Sequence, residues 1–135
     1  MEVSMIFIYI SIGVLIALFL FYRWLDFKVS LIFSSTRKGV QATPEDYKTV
    51  FEPVYFKSAD GLDLSGWFVP SKNPSDKTLI VCHGVNQNKS DVLKDTIFLS
   101  ENFNLFYFDF RGCGESKGGV SSFGIYETRD LAGAV

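Results

Sequence analysis

Two stretches of this chain carry residue types that could do chemistry. One is His83-Gly84-Val85-Asn86; the other runs Asp109-Phe110-Arg111-Gly112-Cys113-Gly114-Glu115-Ser116. Each follows a short, almost wholly apolar run, Thr78–Cys82 (TLIVC) and Asn104–Phe110 (NLFYFDF). A loop leaving the C-terminal edge of a parallel strand is where open α/β sheets place their ligand sites. Gly84 permits a tight turn there, so that the amides after it can face a cleft. Asp109 and Arg111 stand two apart, on one side of a strand, and suit charge-assisted hydrogen bonds from the strand end to neighbouring loops. Gly112 and Gly114 let the second loop pass close to the first.

Other chemistries fit less well. Gly114-Glu115-Ser116-Lys117-Gly118 spells G-x-S-x-G, but a nucleophile elbow needs a strand running straight into it and a helix starting at the serine. Arg111-Gly112-Cys113 separates the strand from the motif, and Gly118-Gly119 breaks a helix. His83 is the only histidine and lies upstream, so Ser116 has no base after it. Cys82, His83, Cys113 and Asp109 lack metal-ligand spacing, and no metal is expected. Neither G-x-x-x-x-G-K-[ST] nor G-x-G-x-x-G is present, so no phosphate cradle and no cofactor is expected.

The elements that would position these loops can be read from periodicity. Phe51–Lys57 and Leu62–Val69 alternate and flank the turn Ser58-Ala59-Asp60-Gly61, which reads as an antiparallel hairpin. Thr78–Cys82 reads as a strand covered on both faces. Ser90–Ser100 reads as a helix with Ser90 as its N-cap; Val92, Thr96 and Leu99, beside Leu93 and Ile97, form its inward stripe. Strand, helix, strand implies a parallel pair joined by a crossover. Ser122 would cap a last helix with a stripe of Ile125, Thr128, Leu131 or Ala132, and Val135. That helix has no stop signal before the sequence ends.

The N-terminus is of another kind. Val3–Tyr22 has no charge and about the twenty residues a helix needs to cross the hydrocarbon layer. It lacks the basic start and small-residue cleavage site of a signal peptide. Arg23, Lys28, Arg37 and Lys38 follow it and none precedes it, which predicts a cytoplasmic C-terminal part. Residues 1–26 thus read as a single-pass membrane anchor meeting the bilayer through residues 3–22, 27–44 as a tether, and 45–135 as the globular part. A net charge of −2 over 135 residues gives no reason to expect nucleic acid.

The hairpin, the strand ending in His83-Gly84, and D-x-R-G-x-G-x-S at Asp109–Ser116 together resemble the front of an α/β-hydrolase of the serine-aminopeptidase-like or prolyl-oligopeptidase-like group. The resemblance runs from about Phe51 to the C-terminus. It implies a mixed α/β sheet, an antiparallel hairpin followed by parallel strands, with Asn104–Phe110 lying between Leu62–Val69 and Thr78–Cys82. It implies hydrolysis of ester, thioester or amide bonds in a small-molecule or peptide substrate by a full-length form. By position after His83-Gly84, the Val85 amide would donate to the oxyanion; His83, Gly84, Asp109, Arg111, Gly112 and Gly114 would shape the loops. The nucleophile, acid and catalytic histidine of that family have no match here, so the sequence reads as an N-terminal fragment, inactive alone. The alternative is a non-catalytic, membrane-tethered binding or pseudo-enzyme module.

Overall fold

The computed structural model describes residues 2–33, 37–119 and 121–135. They divide into a helical unit ending at Phe33 and a second unit that follows it.

The first unit is one helix, α1 (Glu2–Phe33). Residues Met5–Leu31 are long and apolar enough to cross a membrane. Its apolar side chains are exposed, Phe19 and Leu20 among them. α1 outruns the expected anchor: residues 27–33 of the expected tether continue the helix, because nothing in Phe27–Phe33 breaks one. Lys28 lies over the Trp24 ring at 5.8 Å.

The second unit is built on a four-stranded mixed sheet of β1 (Glu52–Lys57), β2 (Asp63–Val69), β3 (Thr78–Val81) and β4 (Asn104–Phe108), in the order β1-β2-β4-β3. β1 and β2 form the expected hairpin, with Phe56 opposite Leu64. β4 pairs antiparallel with β2 and parallel with β3, so it lies between them as the resemblance implied. Side chains alternate along β4. Leu105 and Tyr107 enter one core with Trp67, Val69 and Leu93. Phe106 and Phe108 pack on Phe56 from the other face, with ring centroids 5.5 and 5.7 Å away. β3 is less covered than its apolar sequence predicts: it is an edge strand, only half buried, and Cys82 beyond it is exposed.

The helix expected over 90–100 is shorter and tighter. It is α2 (Leu93–Thr96), continued by a 3₁₀ stretch over Ile97–Glu101. Thr96 Oγ1 donates back to the Val92 carbonyl at 2.6 Å, and Ser100 Oγ to Ile97 at 2.7 Å, competing with the regular ladder. Ser90 does not cap it; its hydroxyl donates to Asn88 Oδ1 and accepts from the Gln41 amide. Leu93 is nonetheless fully buried, with Val92, Ile97 and Leu99 packed beside it.

The last helix, α3 (Glu127–Ala134), turns a different face inward from the one its apolar stripe predicts. Ile125, Leu131 and Val135 are exposed, while Asp130 is buried. The Arg111 guanidinium binds the Asp130 carboxylate through Nε and Nη2, the latter at 2.7 Å, and this ion pair sets the roll of the helix. Gly133 then abuts the backbone of Lys57 and Ser58.

Residues 37–43 are no free tether either. Asn88 Nδ2 donates to the Lys38 and Gly39 carbonyls, 3.0 Å each, Lys38 pairs with Asp91, and Val40 and Ala42 pack against the core. A polar, turn-rich composition concealed that attachment. Residues 34–36 of the expected tether lie outside the described residues.

Candidate active site

Because β3 and β4 run parallel, the loops that follow them leave the same edge of the sheet. The first loop makes a turn over Gly84–Gln87: the Gln87 amide donates to the Gly84 carbonyl at 3.3 Å, and Asn86 has φ +59°. A positive φ at the third position with none at Val85 marks a type II turn, with Val85 at the second position. The Gly84 amide is taken by Gln87 Oε1 at 2.8 Å. No described residue accepts from the Val85 amide, and Val85 is 55% exposed.

His83 latches this loop to the next. Its Nε2 accepts from the Phe110 amide at 3.1 Å, so the ring proton sits on Nδ1, which donates to the Gly84 carbonyl at 2.8 Å. The ring also stacks edge-on against Phe110, 5.1 Å between centroids. Both ring nitrogens are therefore committed to backbone.

The second loop starts earlier than its sequence predicts. β4 ends at Phe108, so Asp109 and Arg111 lie in the loop rather than on the strand, and they serve different partners. Asp109 is fully buried. Its carboxylate accepts from the Lys89 amide (2.7 Å), Lys89 Nζ (2.6 Å) and the Glu115 amide (2.9 Å). A Cβ on Gly114, whose φ is +43°, would collide with that carboxylate, so the glycine is required there. Arg111 instead reaches away to Asp130 and Asp60. Hydrogen bonds from Arg111, and from Ser58, hold the Asp60 carboxyl well below the usual carboxylate range.

Lys89, which no motif marks, is the hub. Its side chain is wholly buried, its Nζ also binds Glu115 Oε2 (2.7 Å) and Ser65 Oγ (3.2 Å), and it lies 4.7 Å from the Trp67 ring centroid. Ser116 is buried too: its hydroxyl donates to the Asp109 carbonyl at 2.6 Å and accepts from the Ser65 amide at 3.0 Å. The serine of the G-x-S-x-G pattern is thus a buried brace, not an exposed group.

A third loop completes the rim. The Ile125 amide donates to the Ser122 carbonyl at 3.4 Å, with Phe123 at φ +52° and Gly124 at +105° between them. Two positive φ values define a type I′ turn. Glu127 holds it: its carboxylate accepts from the Ser122 amide (2.7 Å), Ser122 Oγ (2.6 Å), the Gly124 amide (2.8 Å) and Ser121 Oγ (3.2 Å). Burial alone would raise the Glu127 pKa; the Ser122 and Gly124 hydrogen bonds outweigh it and bring the pKa down to about 2. Ser122 does turn the chain toward α3, but by accepting from Tyr126 at 2.7 Å, a turn before the helix begins. The three loops surround a mostly apolar cavity of about 270 Å³, lined by His83, Val85, Phe110, Cys113 and Phe123 among others. Burial raises the Cys113 thiol pKa.

This mixed sheet, with the hairpin first and both loops at one edge, has an α/β-hydrolase-like fold, and its neighbours among solved structures include an esterase. That esterase, Pf2001 of Pyrococcus furiosus, is 30% identical, with a TM-score of 0.65 over 76% of this chain and 40% of its own. DcsB, solved in complex with its substrate analogue, is 28% identical, with a TM-score of 0.51 over 63% of this chain and 30% of its own. In sequence, the uncharacterized protein YfhR of Escherichia coli K12 is 43% identical over 86 residues, 60% of this chain and 30% of YfhR. YqkD of Bacillus subtilis 168, also uncharacterized, is 41% identical over 76 residues, 55% of this chain and 24% of YqkD. The chain thus spans under a third of the length of these curated relatives. No family model matches it.

Proposed function

We propose that this chain forms the oxyanion-loop side of a hydrolase that cleaves ester, thioester or amide bonds, with the Val85 amide as one oxyanion donor. The observation that carries this reading is the unspent Val85 N–H, held at the second position of a type II turn on the rim of the cavity. A fixed donor aimed where negative charge develops stabilises the transition state without reorganising. The likeness to an esterase supports the reaction class. The nucleophile and base are not among the groups described, since Ser116 Oγ and both His83 nitrogens are spent on structure. Residues 1–135 alone are therefore expected to have no turnover. A fluorophosphonate probe should leave them unlabelled, and labelling abolished by Ser116→Ala would refute this.

The oxyanion role is tested by joining the full chain to the part of the Pyrococcus esterase that follows the matched segment. The fusion should hydrolyse p-nitrophenyl esters. Val85→Pro should lower its kcat by about 10²–10³-fold with no loss of melting temperature, because proline suits that turn position and removes only the N–H. An unchanged kcat would refute the assignment.

The membrane reading belongs to the same proposal: α1 crosses the bilayer and residues 37–135 face the cytoplasm. The length and composition of α1 and the basic residues after it support this. Release by carbonate, or a C-terminal reporter active only outside the cytoplasm, would overturn it.

A further inference from the structure

We infer that residues 37–41 are a strap that sets the pose of the Val85 turn, with Asn88 as the positioning residue that joins the two. The inference rests on the oxyanion reading and adds to it the part that holds the donor in place. Asn88 follows the turn directly and is wholly buried. Its Oδ1 accepts from the Ser90 amide (2.9 Å) and Ser90 Oγ (2.6 Å), the local bonding of an Asx turn. An aspartate would serve there equally. It could not donate, and Asn88 Nδ2 spends its two hydrogens on the Lys38 and Gly39 carbonyls, 50 and 49 positions away. Further bonds fix the same junction. Ser90 Oγ accepts from the Gln41 amide at 3.1 Å. Lys38 pairs with Asp91, whose other carboxylate oxygen accepts from the Asn88 amide at 3.0 Å. Arg37 Nη2 donates to the Gly118 carbonyl at 2.8 Å, so the strap also ties to the second loop. Each end of the turn thus has its own fixing: His83 on the Phe110 amide before it, Asn88 on the strap and Lys89 on Asp109 after it. The Val85 donor stands three residues from Asn88, and an error of about 1 Å in such a group costs roughly 10²-fold in rate.

The test uses the full chain in phosphatidylcholine nanodiscs and Asn88→Asp, which keeps the Asx turn but sets a carboxylate against two carbonyls. The ¹⁵N order parameters of the Val85 and Gln87 amides should fall from about 0.85 to about 0.6 or below, while that of Tyr107 in β4 holds. Arg37→Ala combined with Lys38→Glu loosens the strap from its own side, at exposed residues whose ion pairs add little stability. It should lower the same two values at an unchanged melting temperature. This second variant keeps the buried Asn88, so it reads the strap even where Asn88→Asp unfolds. Unchanged values in either variant would overturn the inference. In the fusion with the esterase, Asn88→Asp should lower kcat about tenfold or more, leave KM in place, and have no further effect once Val85→Pro has removed the N–H. An equal loss in both backgrounds would give Asn88 a merely structural role and sink the inference. If Val85→Pro alone leaves kcat unchanged, the oxyanion reading fails, and the order parameters still decide whether the strap holds the turn.

Discussion

Lys89 is where three parts of the molecule meet: its backbone amide and ammonium both bind Asp109, and the same ammonium reaches Glu115 and Ser65. Asp109 and the Lys89 side chain are wholly buried, so removing one partner leaves the other as an uncompensated charge. Lys89→Met is therefore expected to destabilise the second unit by ~3–5 kcal/mol. Adding Asp109→Asn should recover part of that loss, because the remaining carboxamide oxygen still accepts an amide N–H. Melting of the two variants against wild type checks this, and additive losses would refute the pairing. Residue-level reading of the sequence found Asp109 because it sits in a patterned stretch. It did not find Lys89 or Glu127, because a lysine among polar residues reads as solvated. Its burial comes from Asp109, twenty positions away, and from Trp67 on β2. His83-Gly84 stood out in the sequence as the end of an apolar run. What His83 latches onto was not legible, because the Phe110 amide belongs to another loop.

At the scale of elements, the strands formed where their patterns placed them, though β3 is less covered and β4 shorter than read, while α2 and α3 departed from their stripes. A strand's period of two survives one polar residue, whereas α2 is cut short by hydroxyls that bind their own backbone, and α3 is rolled by the Arg111–Asp130 pair. That roll has a measurable consequence at Gly133. Gly→Ala within a helix usually stabilises by about 1 kcal/mol. Here a Cβ would come within 2.8 Å of Ser58 Cα and strike the Lys57 carbonyl. Gly133→Ala is thus expected to lower the melting temperature, and a rise would show that α3 does not pack on β1 as described. The turn Ser122–Ile125 answers to pH. The Glu127 pKa is depressed in the folded state, from 4.5 to about 2, so its stabilisation is complete above the unfolded value and lost as pH falls through the folded one. The Ser122 and Gly124 amide resonances should move between about pH 4.5 and pH 2; constancy across that window would remove Glu127 as the holder of the turn.

For the whole molecule, the sheet has two edges, β1 of the hairpin and β3, neither with a partner strand beyond it among the described residues. Exposed backbone on an apolar edge is a template for pairing. Residues 37–135 without α1 are therefore expected to self-associate, and Ile80→Lys should not prevent it, since that side chain stands off the sheet face rather than along its edge. A monodisperse monomer in sedimentation would refute this. The attachment of residues 37–41 also has a mechanical side. Asn88, the residue immediately after the turn that displays Val85, holds the Lys38 and Gly39 carbonyls. A pull on residues 37–39 is therefore shared by Arg37 at the Gly118 carbonyl, by Lys38 at Asp91 and by Asn88 at the Lys38 and Gly39 carbonyls. Tension on that stretch would be passed to the loops that carry Val85 and Gly118 before it reached a strand.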